Sequence, residues 1–271
     1  MKKVLILANS VGGLYNFRFE LINKLIAEDH QVYFSVPQSI DDEKVRLIID
    51  VGAKHIQIPI SRRGTNPFED LMLINKYKQM IKRVSPDIIL TYTIKPNIYG
   101  TYVANKYNKP VIMNITGIGS SLATGKLKGI VKKMYKYACS KSKYVFFQNE
   151  DNHDFFTLNS LVDSNKTKIV PGSGVNIKKF KPMKKTEQDN ITRFLFIGRL
   201  MKEKGIEEYL EVAKNITKKH PNIEFQILGS FEEEIYKNII ENNINNKIKY
   251  LGSSNDVRQE IKEVDCIVNP S

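Results

Sequence analysis

A chain of 271 residues is long enough for two domains of ordinary size, and 41% hydrophobic with 26% charged residues is a globular composition. No apolar run nears the roughly 20 residues that span a bilayer, and Cys139 and Cys266 are too far apart to make a metal-ligand spacing, so they read as free thiols. The net charge of +13 asks for an anionic partner or a solvated basic surface. Nucleic acid is disfavoured, because no helix-turn-helix, zinc finger or RNP-type aromatic motif is present.

In chain order, the five-residue apolar run Val4–Ala8 falls short of a signal core of about 7–15 residues and predicts a first strand instead. Further strand patterns cover Gln31–Val36, Lys54–Ile58, Asp87–Tyr92, Val111–Ile115, Tyr144–Gln148 and Lys168–Val170. Helical patterns cover Asn16–Glu28, Glu43–Val51, Phe68–Val84, Pro96–Tyr107, Leu127–Ala138 and Glu150–Thr157. Alternating strand and helix predicts a parallel sheet covered on both faces. Gly12 and Gly13 fall in the first strand-to-helix turn, where glycine lets backbone approach a phosphate or sugar; an ordinary turn is the equal reading.

In the segment Lys126–Lys143, Leu127, Ile130, Val131, Met134 and Ala138 repeat at helical spacing, with Lys126, Lys128, Lys132, Lys133 and Lys136 between them. This predicts an amphipathic helix with its stripe on the sheet and its lysines either solvated or facing anionic lipid. Glu150 and Asp151 read as helix-start capping. The four histidines sit beside strand ends or in polar helical surroundings, and none is assigned to catalysis.

Pro182 and the polar run Lys184–Asn190 predict a linker over residues 181–192, between domains at 1–180 and 193–271. Alternation then restarts, with strands at Arg193–Gly198, Glu224–Leu228, Ile248–Leu251 and Cys266–Val268. Helices are expected at Ile206–Lys219, Glu232–Asn242 and Val257–Glu263. The expected class is therefore α/β, two Rossmann-like doubly wound parallel-sheet domains. The second is expected to be incomplete, with four strands where about five or six are usual. In Phe194–Ile206 a buried strand ends at Gly198, Arg199 and Lys204 follow, and a helix begins near Ile206. Two cations beside a helix N-terminus suit a diphosphate.

Four segments together carry a resemblance: Gly12–Arg18, Asn114–Ser120, Val170–Phe180 and Phe194–Ile206. In this order the chain resembles the GT-B-fold retaining family-4 glycosyltransferases, and within them the bacterial enzymes of surface-polysaccharide and lipid-linked oligosaccharide assembly. The resemblance implies a UDP-sugar donor and an undecaprenyl-diphosphate-linked saccharide acceptor. It makes Arg199 and Lys204 the catalytic diphosphate-binding pair. It places Gly12, Gly13, Gly198, Gly229, Gly252 and Ser253 at the donor, and Arg18, Thr116, Gly117 and Ser120 at the acceptor side of the cleft. The glycine segments at 229 and 252 read equally as turns, and Arg18 equally as a surface arginine. Many relatives carry a histidine near residue 116; Thr116 and Ser120 stand here instead. No Asp-x-Asp follows a strand, so no metal or other cofactor is expected.

The implied location is the cytoplasmic, inner face of the plasma membrane, reached peripherally through the basic helix. A Glu-x7-Glu pair of the family is expected just beyond Ser271, so residues 1–271 alone are expected to be weakly active or inactive. The rival readings are a non-catalytic sugar-nucleotide-binding or partner-binding module, a GT-B epimerase, and charge-driven nucleic-acid binding.

Overall fold

The computed structural model describes residues 1–61, 64, 66–118, 127–186 and 189–271. The chain divides into two compact units, Met1–Val175 and Asn176–Ser271.

The first unit runs β1 (Lys3–Leu7), α1 (Val11–Ala27), β2 (Gln31–Val36), α2 (Glu43–Asp50), β3 (Lys54–Gln57), α3 (Pro67–Val84), β4 (Ile88–Tyr92), α4 (Thr101–Lys106), β5 (Val111–Ile115), α5 (Lys128–Lys141), β6 (Tyr144–Phe147), α6 (Glu150–Leu158) and β7 (Thr167–Ile169). The seven strands form one sheet in the order β3-β2-β1-β4-β5-β6-β7, each pairing parallel. The apolar run of β1 serves both faces. Val4 and Ile6 pack beneath α1 and α2, while Leu5 and Leu7 pack beneath α3 and α4. That double burial is why the strand is a continuous apolar run rather than an alternating one.

Three sequence expectations change. Helix α1 starts at Val11, not Asn16, because the Gln38 Oε1 accepts the Val11 N–H at 2.9 Å and Leu14 N–H donates to the Ser10 carbonyl. Gly12 and Gly13 therefore lie inside the first helical turn rather than in the loop before it. The segment predicted as one helix from Pro96 opens as a π-helical turn, Pro96–Gly100, and becomes α-helical only at Thr101. Gly100 crosses β1 so closely that a Cβ would meet Leu7 Cδ1 at 2.7 Å. In α5 the buried residues are Tyr135, Ala138 and Cys139, with Val131 and Met134 half-buried, whereas Leu127 and Ile130 are 42% and 58% exposed. Tyr135 packs edge-on against Phe156 at 5.2 Å, and that contact rotates the apolar stripe away from its predicted centre. Burial pushes the Cys139 thiol up to about 12, so it is a packing group, while Cys266 is exposed.

The second unit runs β8 (Thr192–Ile197), α7 (Ile206–Lys219), β9 (Ile223–Leu228), α8 (Ile235–Glu241), β10 (Ile248–Tyr250), α9 (Arg258–Lys262) and β11 (Cys266–Val268). Its strands order β10-β9-β8-β11, all parallel. Phe196, Ile206, Tyr209, Ile227 and Ile240 fill its core. The start of β8 is held by charge. Arg193 is buried and donates from both terminal nitrogens to Asp189, at 2.9 and 2.6 Å. Asp265 accepts the Arg193 N–H at 2.8 Å and pairs with Lys185 at 2.9 Å.

The Arg193 guanidinium holds the Asp189 carboxyl at about 2 against an ordinary 3.8. The Arg193 backbone N–H and then Lys185 lower Asp265 in the same sense. A depressed carboxyl stabilises the folded state above its unfolded pKa and loses that contribution as pH falls through the folded one. Stability of the second unit is therefore expected to be constant above about pH 5 and to fall between about pH 4 and pH 2. Urea titrations across that window check this, and Asp189→Asn should flatten part of the slope.

Candidate active site

In the second unit, three glycines meet at the carboxyl ends of adjacent strands. Gly198 follows β8 and donates its N–H to the Leu228 carbonyl at 3.0 Å. Gly229 follows β9 and donates to the Gly252 carbonyl at 2.7 Å, and the Tyr250 hydroxyl caps the Gly229 carbonyl at 2.9 Å. The backbone approach is so close that a Cβ on Gly229 would lie 1.7 Å from the Gly198 carbonyl oxygen. Beyond this crossing, Leu200 bridges Phe231 in parallel and is buried. Pleating then turns the preceding side chain outward: Arg199 is 45% exposed, with Nη1 3.3 Å from Glu232 Oε1.

Lys204 closes a 3-10 turn, Lys202–Lys204, and Gly205 follows in the left-handed region at φ 71° to start α7. A Cβ on Gly205 would also press on Pro270 at 2.8 Å. Glu207 and Glu208 already complement the dipole of α7, and Glu207 accepts a bond from the Tyr236 hydroxyl at 2.7 Å. Ser253 is exposed just after Gly252. The assembly is a part-exposed guanidinium one residue from a crossing of three glycines, where no Cβ keeps an anion from the peptide groups.

In the first unit, β1 connects toward β2 while β4 connects toward β5, so the strand order reverses between β1 and β4. Crevices at such a reversal, outside the carboxyl ends of the strands, are where α/β sheets bind ligands. Gly12 and Gly13 open α1 there. The Arg18 guanidinium lies 4.7 Å over the Tyr92 ring at the end of β4. It donates to Ser173 Oγ at 2.6 Å, and Gln148 donates to the same oxygen at 3.1 Å. Arg18 thus joins α1 to the segment that contains Gly172 and Gly174. Thr116 and Gly117 are exposed directly after β5. Ser120 and Lys126 lie outside the described residues.

Four residues escaped the sequence reading. Thr93, directly after β4, has φ 72°, strained for a β-branched residue and placed at the strand-order reversal. Lys95 pairs with Asp70 at 2.7 Å, and Asp70 also accepts from the Tyr99 hydroxyl at 2.7 Å. Lys95 and Asp70 border a cavity of about 380 Å³ together with Pro37, Pro59 and Met72. Glu232 completes the set, because nothing in its local sequence signals a partner 33 residues upstream.

The profile described as "Glycosyl transferase 4-like" matches residues 3–149, and that described as "Glycosyl transferases group 1" matches residues 177–271. The chain is 26% identical to the N,N'-diacetylbacillosaminyl-diphospho-undecaprenol alpha-1,3-N-acetylgalactosaminyltransferase of Campylobacter jejuni, covering 98% of this chain and 73% of that protein. It is 27% identical to the UDP-Gal:alpha-D-GlcNAc-diphosphoundecaprenol alpha-1,3-galactosyltransferase of Escherichia coli, over 82% of this chain and 62% of that one. In fold it is similar to Anabaena Alr3699/HepE, solved in complex with UDP-glucose, at a TM-score of 0.73 and 16% identity over 100% of this chain and 74% of that one. No described helix is long and apolar enough to cross a membrane. With one family profile spanning six of the seven strands of the first unit's sheet and another nearly all of the second unit, on a two-unit parallel α/β fold, the chain belongs to the family-4 glycosyltransferases of the GT-B fold.

Proposed function

We propose that the protein moves a hexose or N-acetylhexosamine from a UDP-sugar to a lipid-linked, undecaprenyl-diphosphate-borne saccharide, with retention at the anomeric carbon. The observation that carries the reading is Arg199, held outward at the junction of Gly198, Gly229 and Gly252. In the transfer, the bond from the anomeric carbon to the diphosphate oxygen breaks and the bond to the acceptor hydroxyl forms on the same face. The departing diphosphate oxygen takes the acceptor proton. Arg199 and Lys204 meet charge that grows on that oxygen, so their stabilisation is larger in the transition state than in the bound donor. An anion at Arg199 competes with Glu232, and its arrival exchanges one carboxylate partner for a diphosphate.

Arg18, Thr116 and Gly117 form the acceptor side, Gly12 and Gly13 face the donor, and Gly252 with Ser253 forms the nucleoside side. The C. jejuni and E. coli relatives are named for diphosphoundecaprenol-linked saccharides, which supports the acceptor class. HepE, crystallised with UDP-glucose, supports the donor class. The acceptor places the protein at the cytoplasmic face of the plasma membrane, with Lys128, Lys133 and Lys136 toward anionic headgroups. Lys132 is instead shared with Asn159, at 2.6 Å, and the Phe155 ring.

The test incubates the chain with UDP-glucose, UDP-galactose and their N-acetyl forms and a lipid-linked saccharide, and reads the product's anomeric proton by NMR. Any transfer, however slow, is expected to keep the donor's anomeric configuration. The opposite anomer overturns retention, and tight UDP binding without turnover favours a non-catalytic sugar-nucleotide-binding protein.

A further inference from the structure

In the first unit, α4 packs between α3 and α5 on one face of the sheet, opposite α1 and α2. The two faces differ in charge. Helices α3, α4 and α5 carry ten lysines and arginines against only Glu69 and Asp70, whereas α1 and α2 carry four against three. The asymmetry locates a large part of the chain's positive charge on one side. The acidic start of α6, Glu150 and Asp151, bounds it.

Charge alone would suit any polyanion, but the same face also exposes apolar side chains where a solvated surface has no use for them. Phe68, Leu71 and Met72 follow one another at i, i+3 and i+4 on the outside of α3 and are 78%, 62% and 60% exposed. Lys78 and Lys82 continue that outward face. Neighbouring α5 repeats the arrangement: Leu127 and Ile130 are exposed at its start, and Lys133 and Lys136 follow. Both helix starts follow the carboxyl ends of parallel strands, β3 and β5, so the apolar tips lie along the same edge of the sheet as the strand-order reversal. Toward the other end, tyrosines and lysines interleave. Tyr102 and Tyr137 stand 6.2 Å apart, with Lys106 over the first ring at 4.5 Å and Lys141 over the second at 5.9 Å.

We propose that the outer face of α3, α4 and α5 docks on an anionic phospholipid bilayer, with Phe68, Leu71, Met72, Leu127 and Ile130 inserted below the headgroups. Exposed apolar tips enter the acyl boundary, lysines meet anionic headgroups, and tyrosines lie at the interface between them. Nucleic acid would satisfy the lysines and leave five large apolar side chains in water. The docking face deepens the proposed function, since it brings the acceptor edge of the sheet to the surface where a lipid-borne diphosphate emerges.

The test is co-sedimentation of the full chain with sonicated vesicles, which needs no transferase activity. Phosphatidylcholine vesicles containing phosphatidylglycerol should bind the chain, and pure phosphatidylcholine vesicles at least about tenfold less. Phe68→Ser/Leu71→Ser/Met72→Ser changes only exposed positions and should weaken binding about tenfold or more. Lys133→Glu/Lys136→Glu should do the same and be salt-sensitive. Lys24→Glu/Lys44→Glu on the opposite helices should leave binding unchanged. Equal losses in that control pair, no difference between lipids, or stronger capture by single-stranded RNA than by vesicles would each overturn the proposal. Vesicle binding without sugar transfer upholds the docking face while failing the transferase reading. Transfer to a water-soluble acceptor without vesicle binding does the reverse.

Discussion

Arg199→Ala is expected to lower the turnover number about 100- to 1,000-fold, while affinity for UDP falls far less. The difference is the diagnostic quantity. A residue that held donor and transition state equally would raise KM and leave kcat alone; one that meets charge developing on the leaving oxygen lowers kcat. The second role is the one proposed for Arg199, whose backbone the Leu200–Phe231 bridge fixes on its far side while its head group stays half in water. Arg199→Lys should recover only part of the loss, since an ammonium cannot present the planar donor fork that a diphosphate accepts. Steady-state kinetics with calorimetric UDP titration separate the outcomes. If all three proteins share one kcat, the Arg199–Glu232 pair is a surface ion pair of the ordinary kind and contributes under about 1 kcal/mol.

Gly229→Ala is expected to destabilise the second unit by about 3–5 kcal/mol. An alanine methyl would sit 1.7 Å from the Gly198 carbonyl oxygen, well inside contact distance, and the obstacle is backbone rather than a side chain that can swing away. Relief requires β8 and β9 to part where Gly198 N–H bonds the Leu228 carbonyl. Arg199 would move with that edge, so UDP affinity should fall together with the unfolding midpoint. Gly117→Ala is the matched control: a Cβ there meets nothing within 4 Å and should cost under about 0.5 kcal/mol. Thermal unfolding of the two variants decides the point; equal midpoints would mean that the β8–β9 crossing relaxes without cost.

Much of the architecture was legible because burial on two faces leaves a plain trace. The apolar runs of β1, β2, β4 and β8 were recognisable, and the 3.6-residue pattern set α7 at Ile206–Lys219. The Gly-Arg-x4-Lys segment announced a strand, a glycine end and a helix start, and the structure has all three. What local pattern missed was caused by partners remote in sequence. Gln38 reaches 27 residues back to start α1 early, and Gly100 approaches Leu7 across the sheet. Tyr135 meets Phe156 and turns α5, which leaves Leu127 and Ile130 in water.

The order of elements, the parallel class of both sheets and the family could be read from the residues alone, because hydrophobic period and glycine placement are local properties of the chain. Tertiary structure decided which carboxylate faces Arg199, that Gly229 can be nothing larger, and that Arg18 bonds Ser173. It also gathered the lysines of three separate helices onto one face beside exposed Phe68, Leu71 and Met72. Those facts depend on distances between segments tens of residues apart, and such distances exist only once the sheet has closed the chain upon itself.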